Sequence, residues 1–254
     1  MSTVEVFDVP IAAIGLEQAV ETIDSWIEQR EHAYACLVNV HLVETARSST
    51  PLRVALCDAA LNLPDGAPVA WLAGRISRRR VPRVTGSDLF AALCAGVRRR
   101  HFFLGSTPET LQSLVEAVHR EFPDAEVCGA ESPPFGPLSV RESGELVERV
   151  NEAGADIVWV GLGAPRQELW MRANRERLRA PALIGVGAVF DFASGTRRRA
   201  PRWLQRIGLE WAYRLGTEPR RLWRRYLVTN TSFLVHTVPS VVGASLGWKP
   251  RATA

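Results

Sequence analysis

The chain has 254 residues, 46% hydrophobic and 23% charged, which argues against a disordered polymer and leaves room for one large α/β domain or one domain plus an appendage. Thirty-one Lys and Arg against 27 Asp and Glu give a formal net charge of +4. That excess is local, because residues 195–254 carry twelve basic and two acidic side chains while residues 1–194 sum to −6.

The C-terminal end therefore favours a polyanion or an anionic surface. Cys36, Cys57, Cys94 and Cys128 are widely spaced and form no CxxC or Cys/His cluster, so reduced thiols are expected rather than zinc ligands or disulfides. The first ten residues contain Glu5 and Asp8 and lack the basic start and apolar core of a secretory signal, which predicts a cytoplasmic location.

In chain order, helical periodicity covers residues 17–29, apolar runs at 34–38 and 60–63 read as strands, and a second amphipathic helix is expected over 89–98. Strands follow at 102–105, 126–128, 157–161 and 182–187, separated by helices over 108–120, 142–153 and 166–178. Short apolar runs alternating with amphipathic segments are the pattern of parallel strands joined by crossover helices. The expected fold is α/β, with a Rossmann-like, mostly parallel sheet flanked by helices. Ligands of such sheets bind at the carboxyl ends of the strands, here positions 39, 65, 105, 163 and 188–191.

Residues 195–201 read as a boundary between an α/β domain, 1–194, and a basic helical appendage, 195–254. In the appendage Trp203, Trp211, Tyr213, Trp223 and Tyr226 are interleaved with Arg. That mixture suits an interface partly apolar and partly anionic, and it also suits RNA or single-stranded DNA. No run of about 18 to 20 consecutive apolar residues occurs. Residues 226–248 lack Lys, Arg, Asp and Glu but are broken by Thr229-Asn230-Thr231-Ser232 and by Pro239. They fit the membrane interface better than its centre, or a core helix packed on its own domain.

Several segments carry chemistry. Phe102-Phe103-Leu104-Gly105-Ser106-Thr107-Pro108 runs from a strand through a glycine turn to a helix start. Its N–H groups, with Ser106 and Thr107, either hold a phosphate or only cap the helix. Gly161-Leu162-Gly163-Ala164-Pro165-Arg166-Gln167-Glu168 repeats the theme but has Arg166 where a dinucleotide fingerprint has its third glycine, which disfavours a nicotinamide site. Arg166 and Gln167 either hold a diphosphate or sugar or, with Glu168, form a solvated first turn.

Asn62-Leu63-Pro64-Asp65-Gly66 places a carboxylate on a tight turn at a strand end. Asp65 is there either for the turn or to take a proton from an attacking hydroxyl. Arg83-Val84-Thr85-Gly86-Ser87-Asp88 sets Arg83 and Asp88 around a glycine at another helix start, and Pro133-Pro134-Phe135-Gly136 exposes an aromatic platform suited to a base. The five histidines show no ligand spacing, and no Gly-x-Ser-x-Gly elbow, Walker loop or HExxH occurs.

Together, Asn39, Pro64-Asp65-Gly66, Arg83-Val84-x-Gly86-x-Asp88-Leu89, Phe103-Leu104-Gly105, Gly161-Leu162-Gly163-x-Pro165-x-Gln167-Glu168 and Gly185-Val186-Gly187-Ala188-x-Phe190-Asp191 resemble the WecG/TagA/CpsF family. The likeness continues through Arg197, Ala200-Pro201, Gly208-Leu209-Glu210-Trp211, Arg214-Leu215, Glu218-Pro219, Arg221-Leu222 and Arg225-Tyr226, covering roughly residues 5 to 235.

The resemblance implies an inverting, metal-independent glycosyltransferase of family 26 that needs no cofactor. Its partners would be a UDP-sugar donor, often of N-acetylmannosamine, a polyprenyl-diphosphate-linked sugar acceptor, and the anionic inner face of the cell membrane. No nucleic acid is implied, and a homo-oligomer is left open.

Carried over by position, Asp65 resembles the general base and Asn39 its polar neighbour. Phe135 and Asp191 resemble nucleoside contacts, and Gln167 lies near the sugar or diphosphate. Arg83, Asp88, Gly105, Ser106 and Gly163 join the substrate-binding set, and Arg214, Arg221 and either Arg224 or Arg225 would reach the diphosphates. The family commonly has Thr or Ser two residues before the pocket asparagine; this chain has Leu37, so any hydroxyl contact there is missing. The rival readings are a nucleotide-binding α/β partner protein without catalysis and a nucleic-acid-binding protein using the Arg- and Trp-rich tail.

Overall fold

A computed structural model describes residues 2–136, 138–206, 209–220, 223, 229–233 and 235–237. The chain opens with a hairpin of β1 (Thr3–Val6) and β2 (Val9–Ala12), then α1 (Leu16–Gln29). A first group of elements comprises β3 (Ala33–Val38), α2 (Val40–Ser48), α3 (Thr50–Cys57), β4 (Leu61–Pro64), α4 (Ala67–Ser77) and α5 (Gly86–Cys94). Next come β5 (Arg100–Gly105), α6 (Pro108–Glu121), β6 (Glu126–Glu131), α7 (Val140–Ala153), β7 (Ile157–Gly161), α8 (Arg166–Asn174), β8 (Ala182–Gly185) and α9 (Val189–Ala193). Short helices α10 (Arg202–Arg206) and α11 (Glu210–Thr217) follow.

All neighbouring strands of the main sheet pair in parallel, in the order β4-β3-β8-β7-β5-β6. The chain steps outward from β3 to β4 at one edge and from β5 to β6 at the other. Loops leaving the central strands therefore diverge, and a crevice opens at the carboxyl ends.

Both faces of the sheet are covered. Tyr34, Cys36 and Val38 of β3 join one apolar cluster while Ala33, Ala35 and Leu37 join the other, and β7 divides the same way, Val158 and Val160 against Ile157 and Trp159. Side chains alternate across a strand, so a doubly covered sheet needs apolar residues at every position. That requirement makes the central strands legible as uninterrupted apolar runs.

The α/β reading holds, with shifted boundaries. The helix expected over 89–98 starts at Gly86 and stops at Cys94, the one expected over 166–178 ends at Asn174, and the strand expected over 182–187 stops at Gly185. The hairpin, α2, α3 and α4 are additional. Phe7 and Asp8 both have positive φ, 50° and 62°, the geometry of a two-residue type I′ turn usually built from Asn-Gly. Phe7 tolerates it with its ring against Phe233, 5.8 Å between centroids, and under the guanidinium of Arg47. The four cysteines are free thiols. Among the described residues, no helix is long and apolar enough to cross a membrane.

Candidate active site

A cleft of about 1250 Å³ lies at the carboxyl ends of the strands. Of the residues singled out from sequence, Asn39, Asp65, Arg83, Gly105, Ser106, Phe135, Gly163, Gln167, Asp191 and Arg214 all line it. Asp88 stands beside it, and Arg221, Arg224 and Arg225 lie outside the described residues.

Register brings the first two together. Val38 pairs with Pro64 across β3 and β4, so the next residues, Asn39 and Asp65, leave adjacent strands side by side. The Asp65 amide donates to the Val38 carbonyl at 3.0 Å. Asn39 caps α2, its Oδ1 accepting from the Leu42 amide at 3.2 Å, a bond that does not use its NH2 group. Asp65 Oδ1 accepts from the Gly86 amide at 3.0 Å, in the first turn of α5.

Burial raises the Asp65 pKa above the usual carboxylate range. The Gly86 hydrogen bond opposes that rise, Glu210 adds to it, and Arg214 and Arg83 pull the other way. A carboxylate pushed upward but still in reach of cations is suited to accept a proton near neutral pH.

Gly86 is required there by space. A Cβ on it would sit 2.6 Å from Leu37 Cδ1 and 2.7 Å from Val189 Cγ2. Leu37 is a buried apolar residue lining the cleft. Asp88 is half-exposed and holds Arg199 at 3.0 Å. Burial would raise its pKa, but hydrogen bonds with Thr85 and Arg199 outweigh that and hold it below the usual range.

At the centre of the sheet Gly105 has φ +116°, and a Cβ there would fall 2.5 Å from the Gly161 carbonyl carbon. The ends of β5 and β7 thus touch, and Ser106 follows with φ 64°. The Ser132 hydroxyl donates to the Ser106 carbonyl at 2.7 Å, tying down the loop that carries Phe135, whose ring is 88% exposed on the cleft edge. Thr107 caps α6 by accepting from the Thr110 amide.

Gly163, at φ +80°, precedes α8. The alternative of a solvated first turn fails for two of its three residues, because Gln167 is 3% exposed and Glu168 fully buried. Gln167 accepts from the Gly187 amide at 3.2 Å and donates to Glu168 Oε1 at 2.8 Å. It thereby pins the loop after β8.

Beyond α9 the chain turns back over the cleft. Arg197 bridges Asp191, at 3.1 Å, and Glu218. Arg199 reaches Asp88 and the Thr85 hydroxyl, both at 3.0 Å, and lies 3.8 Å from Glu210. Arg214, on α11, lines the cleft with its guanidinium 5.5 Å from the Phe192 ring centre. Its Nε is buried without a hydrogen-bond partner among the described residues.

The reading of the sequence assigned no role to Arg199, Glu210 or Glu168. Arg199 sits in the Arg197-Arg198-Arg199 run, and nothing in sequence distinguishes its partners. Of the 226–248 stretch, the described part packs on the domain, since Phe233 and Thr237 are buried and line one end of the cleft.

Two curated relatives match this chain over most of their length. One, from Bacillus spizizenii, is 31% identical over 206 residues, 80% of this chain and 78% of the relative. The other, from Bacillus subtilis, is 27% identical over 231 residues, 89% of this chain and 88% of the relative. Both are named N-acetylglucosaminyldiphosphoundecaprenol N-acetyl-beta-D-mannosaminyltransferase. The family model for glycosyl transferases of the WecG/TagA/CpsF type matches residues 4–245, and the chain, an enzyme of the hexosyltransferase class, belongs to that family.

Proposed function

We propose that this glycosyltransferase moves N-acetylmannosamine or a related hexose from a UDP-sugar to a polyprenyl-diphosphate-linked sugar, with inversion and without a divalent metal, at the inner face of the cell membrane. The product would feed cell-surface polysaccharide synthesis. The activity named for the two relatives supports the acceptor class and the transferred sugar. The observation that carries the chemistry is the meeting of Asp65 and Arg214 in one cleft.

In this reading the acceptor hydroxyl oxygen attacks the anomeric carbon as Asp65 takes its proton. The bond from that carbon to the UDP oxygen breaks on the opposite face, and its electron pair leaves on the β-phosphate. Arg214, whose buried Nε has no partner among the described residues, and the N–H groups at the start of α6 meet the growing charge. Phe135 and Asp191 flank the nucleoside. Residues 1–194 hold the reacting groups, and residues 195–254 supply Arg214, Arg221, Arg224 and Arg225 to the diphosphates and a basic face to the anionic leaflet.

The test is transfer from UDP- and GDP-sugars to a short-chain polyprenyl-diphosphate N-acetylglucosamine in the presence of a chelator, with the product read by mass and its anomeric configuration by NMR. One added N-acetylhexosamine with inverted anomeric configuration is expected from a UDP-sugar. No product from any UDP-sugar, or product only after metal is restored, rejects the reading.

A further inference from the structure

Between Asp65 and Asp88 lie 22 residues with five arginines, Arg75, Arg78, Arg79, Arg80 and Arg83, and no acidic side chain. The net −6 of residues 1–194 conceals this run. In the structure, α4 ends at Arg78 in the left-handed conformation, with the Arg79 amide donating to the Gly74 carbonyl at 3.2 Å. A Cβ on Gly74 would lie 3.0 Å from the Arg79 carbonyl oxygen, so the turn is folded tightly onto the helix end and its arginines have fixed anchor points.

Trp71, Arg75, Arg78, Arg79 and Arg80 line a shallow hollow of about 520 Å³. Trp71 and Arg75 also line the main cleft, which makes them the rim between the two. All four arginines are exposed, Trp71 is 51% exposed, and the Arg75 guanidinium lies 5.8 Å from its ring centre. Among the described residues, no ion pair joins Arg75, Arg79 or Arg80 to a carboxylate.

Cations around a half-exposed indole match the boundary of a bilayer, where phosphates and acyl chains meet. We infer that this hollow on α4 is a headgroup site for anionic phospholipid, separate from the appendage, which sets the rim of the cleft against the leaflet. The inference rests on the reading of a lipid-linked acceptor, which must enter from that leaflet. The apolar ring argues for a lipid phosphodiester rather than free phosphate, and the lack of any acidic side chain in the run gives the charge match.

The experiment is co-sedimentation of the full chain with vesicles of phosphatidylcholine, with and without phosphatidylglycerol, in a buffer containing inorganic phosphate. Arg79 and Arg80 lie outside the catalytic cleft, so both are changed at once. Arg79→Gln with Arg80→Gln is expected to weaken binding to the anionic vesicles about 25-fold, the product of roughly fivefold per arginine at an anionic surface. Turnover with a water-soluble short-chain acceptor should be unchanged. Arg79→Lys with Arg80→Lys should keep most of the binding, which separates lost charge from lost structure.

Wild-type binding by the double Gln variant overturns the inference. So does equal loss of turnover on the soluble acceptor, inorganic phosphate alone abolishing vesicle binding, or preference of this patch for RNA over vesicles. Failure of any UDP-sugar to react would reject the catalytic reading and still leave the vesicle comparison to judge the hollow.

Discussion

The amide nitrogen of Gly86 lies 3.0 Å from Asp65 Oδ1, so a free donor of the first turn of α5 is aimed at the carboxylate that ends β4. Helix N-termini favour anions, and this contact keeps Asp65 ionisable against the burial that raises its pKa. In the proposed mechanism, the hydrogen bond to Oδ1 leaves Oδ2 to take the proton of the acceptor hydroxyl.

Asp65→Asn should lower turnover by about 10² to 10⁴, the range of a lost general base, with UDP affinity nearly unchanged. The wild-type rate should fall on acidification through a pKa above the ordinary carboxylate range, because only the ionised form accepts the proton and burial shifts its titration upward. Turnover of the Asn variant within a few fold of wild type would remove Asp65 from the mechanism. Initial rates across pH, with UDP binding by calorimetry, make the measurement.

Gly86→Ala should disturb the same carboxylate indirectly. The added methyl meets Leu37 and Val189 at under 3 Å, and overpacking of this kind costs about 1–3 kcal/mol. Displacing the start of α5 moves the donor away from Asp65, so turnover should fall as well. Leu37→Ala removes one of the two clashes, so Gly86→Ala should cost less stability and rate in a Leu37→Ala background than in the wild-type chain. Strict additivity of the two changes in thermal unfolding and kinetics would show that the methyl does not act through Leu37.

The sheet was readable because its strands are covered on both faces, so β3, β7 and β8 are apolar at nearly every position. The site was readable where a strand end and a turn coincide, as at Asn39, Asp65, Gly105 and Gly163. The Phe7-Asp8 turn lacks the usual Asn-Gly, and the contacts that hold the Phe7 ring, with Phe233 and Arg47, come from far along the chain. Glu168 looked like a surface residue beside Arg166, and only the packing of α8 against the sheet buries it. Arg199 joins Thr85 and Asp88, each more than a hundred residues earlier, to Glu210, a grouping that no local spacing encodes.

Arg197→Ala should uncouple the chain after α9 from the catalytic domain. Its guanidinium joins Asp191 to Glu218, and Arg214 rides on the α11 segment just before Glu218. These ion pairs are partly solvated, so their loss should change stability by no more than about 1 kcal/mol. Transfer should drop roughly ten- to a hundredfold, as expected when a charge-stabilising group is misplaced. A variant that cleaves no faster in limited proteolysis beyond residue 195 and transfers at the wild-type rate would refute the coupling.

Glu168→Gln should stabilise the protein at alkaline pH. The carboxyl is fully buried, Oε1 accepts from Gln167, and Oε2 has no partner among the described residues. Burial pushes its pKa up to about 7 from an ordinary 4.5. The folded state therefore holds the proton more tightly than the unfolded chain. The stability this contributes is complete below 4.5 and is lost as pH rises through about 7.

A shift of that size corresponds to something on the order of 3 kcal/mol. Glutamine carries no charge to desolvate and still accepts from Gln167. The Tm of the variant relative to wild type should thus climb with pH, levelling off above about pH 8, by several degrees for a chain of this length. Other titrating groups, including the buried His101, affect both proteins alike and cancel in the difference. A Tm difference that stays flat from about pH 4.5 to 8.5 would mean that Glu168 ionises as freely in the folded protein as in the unfolded one.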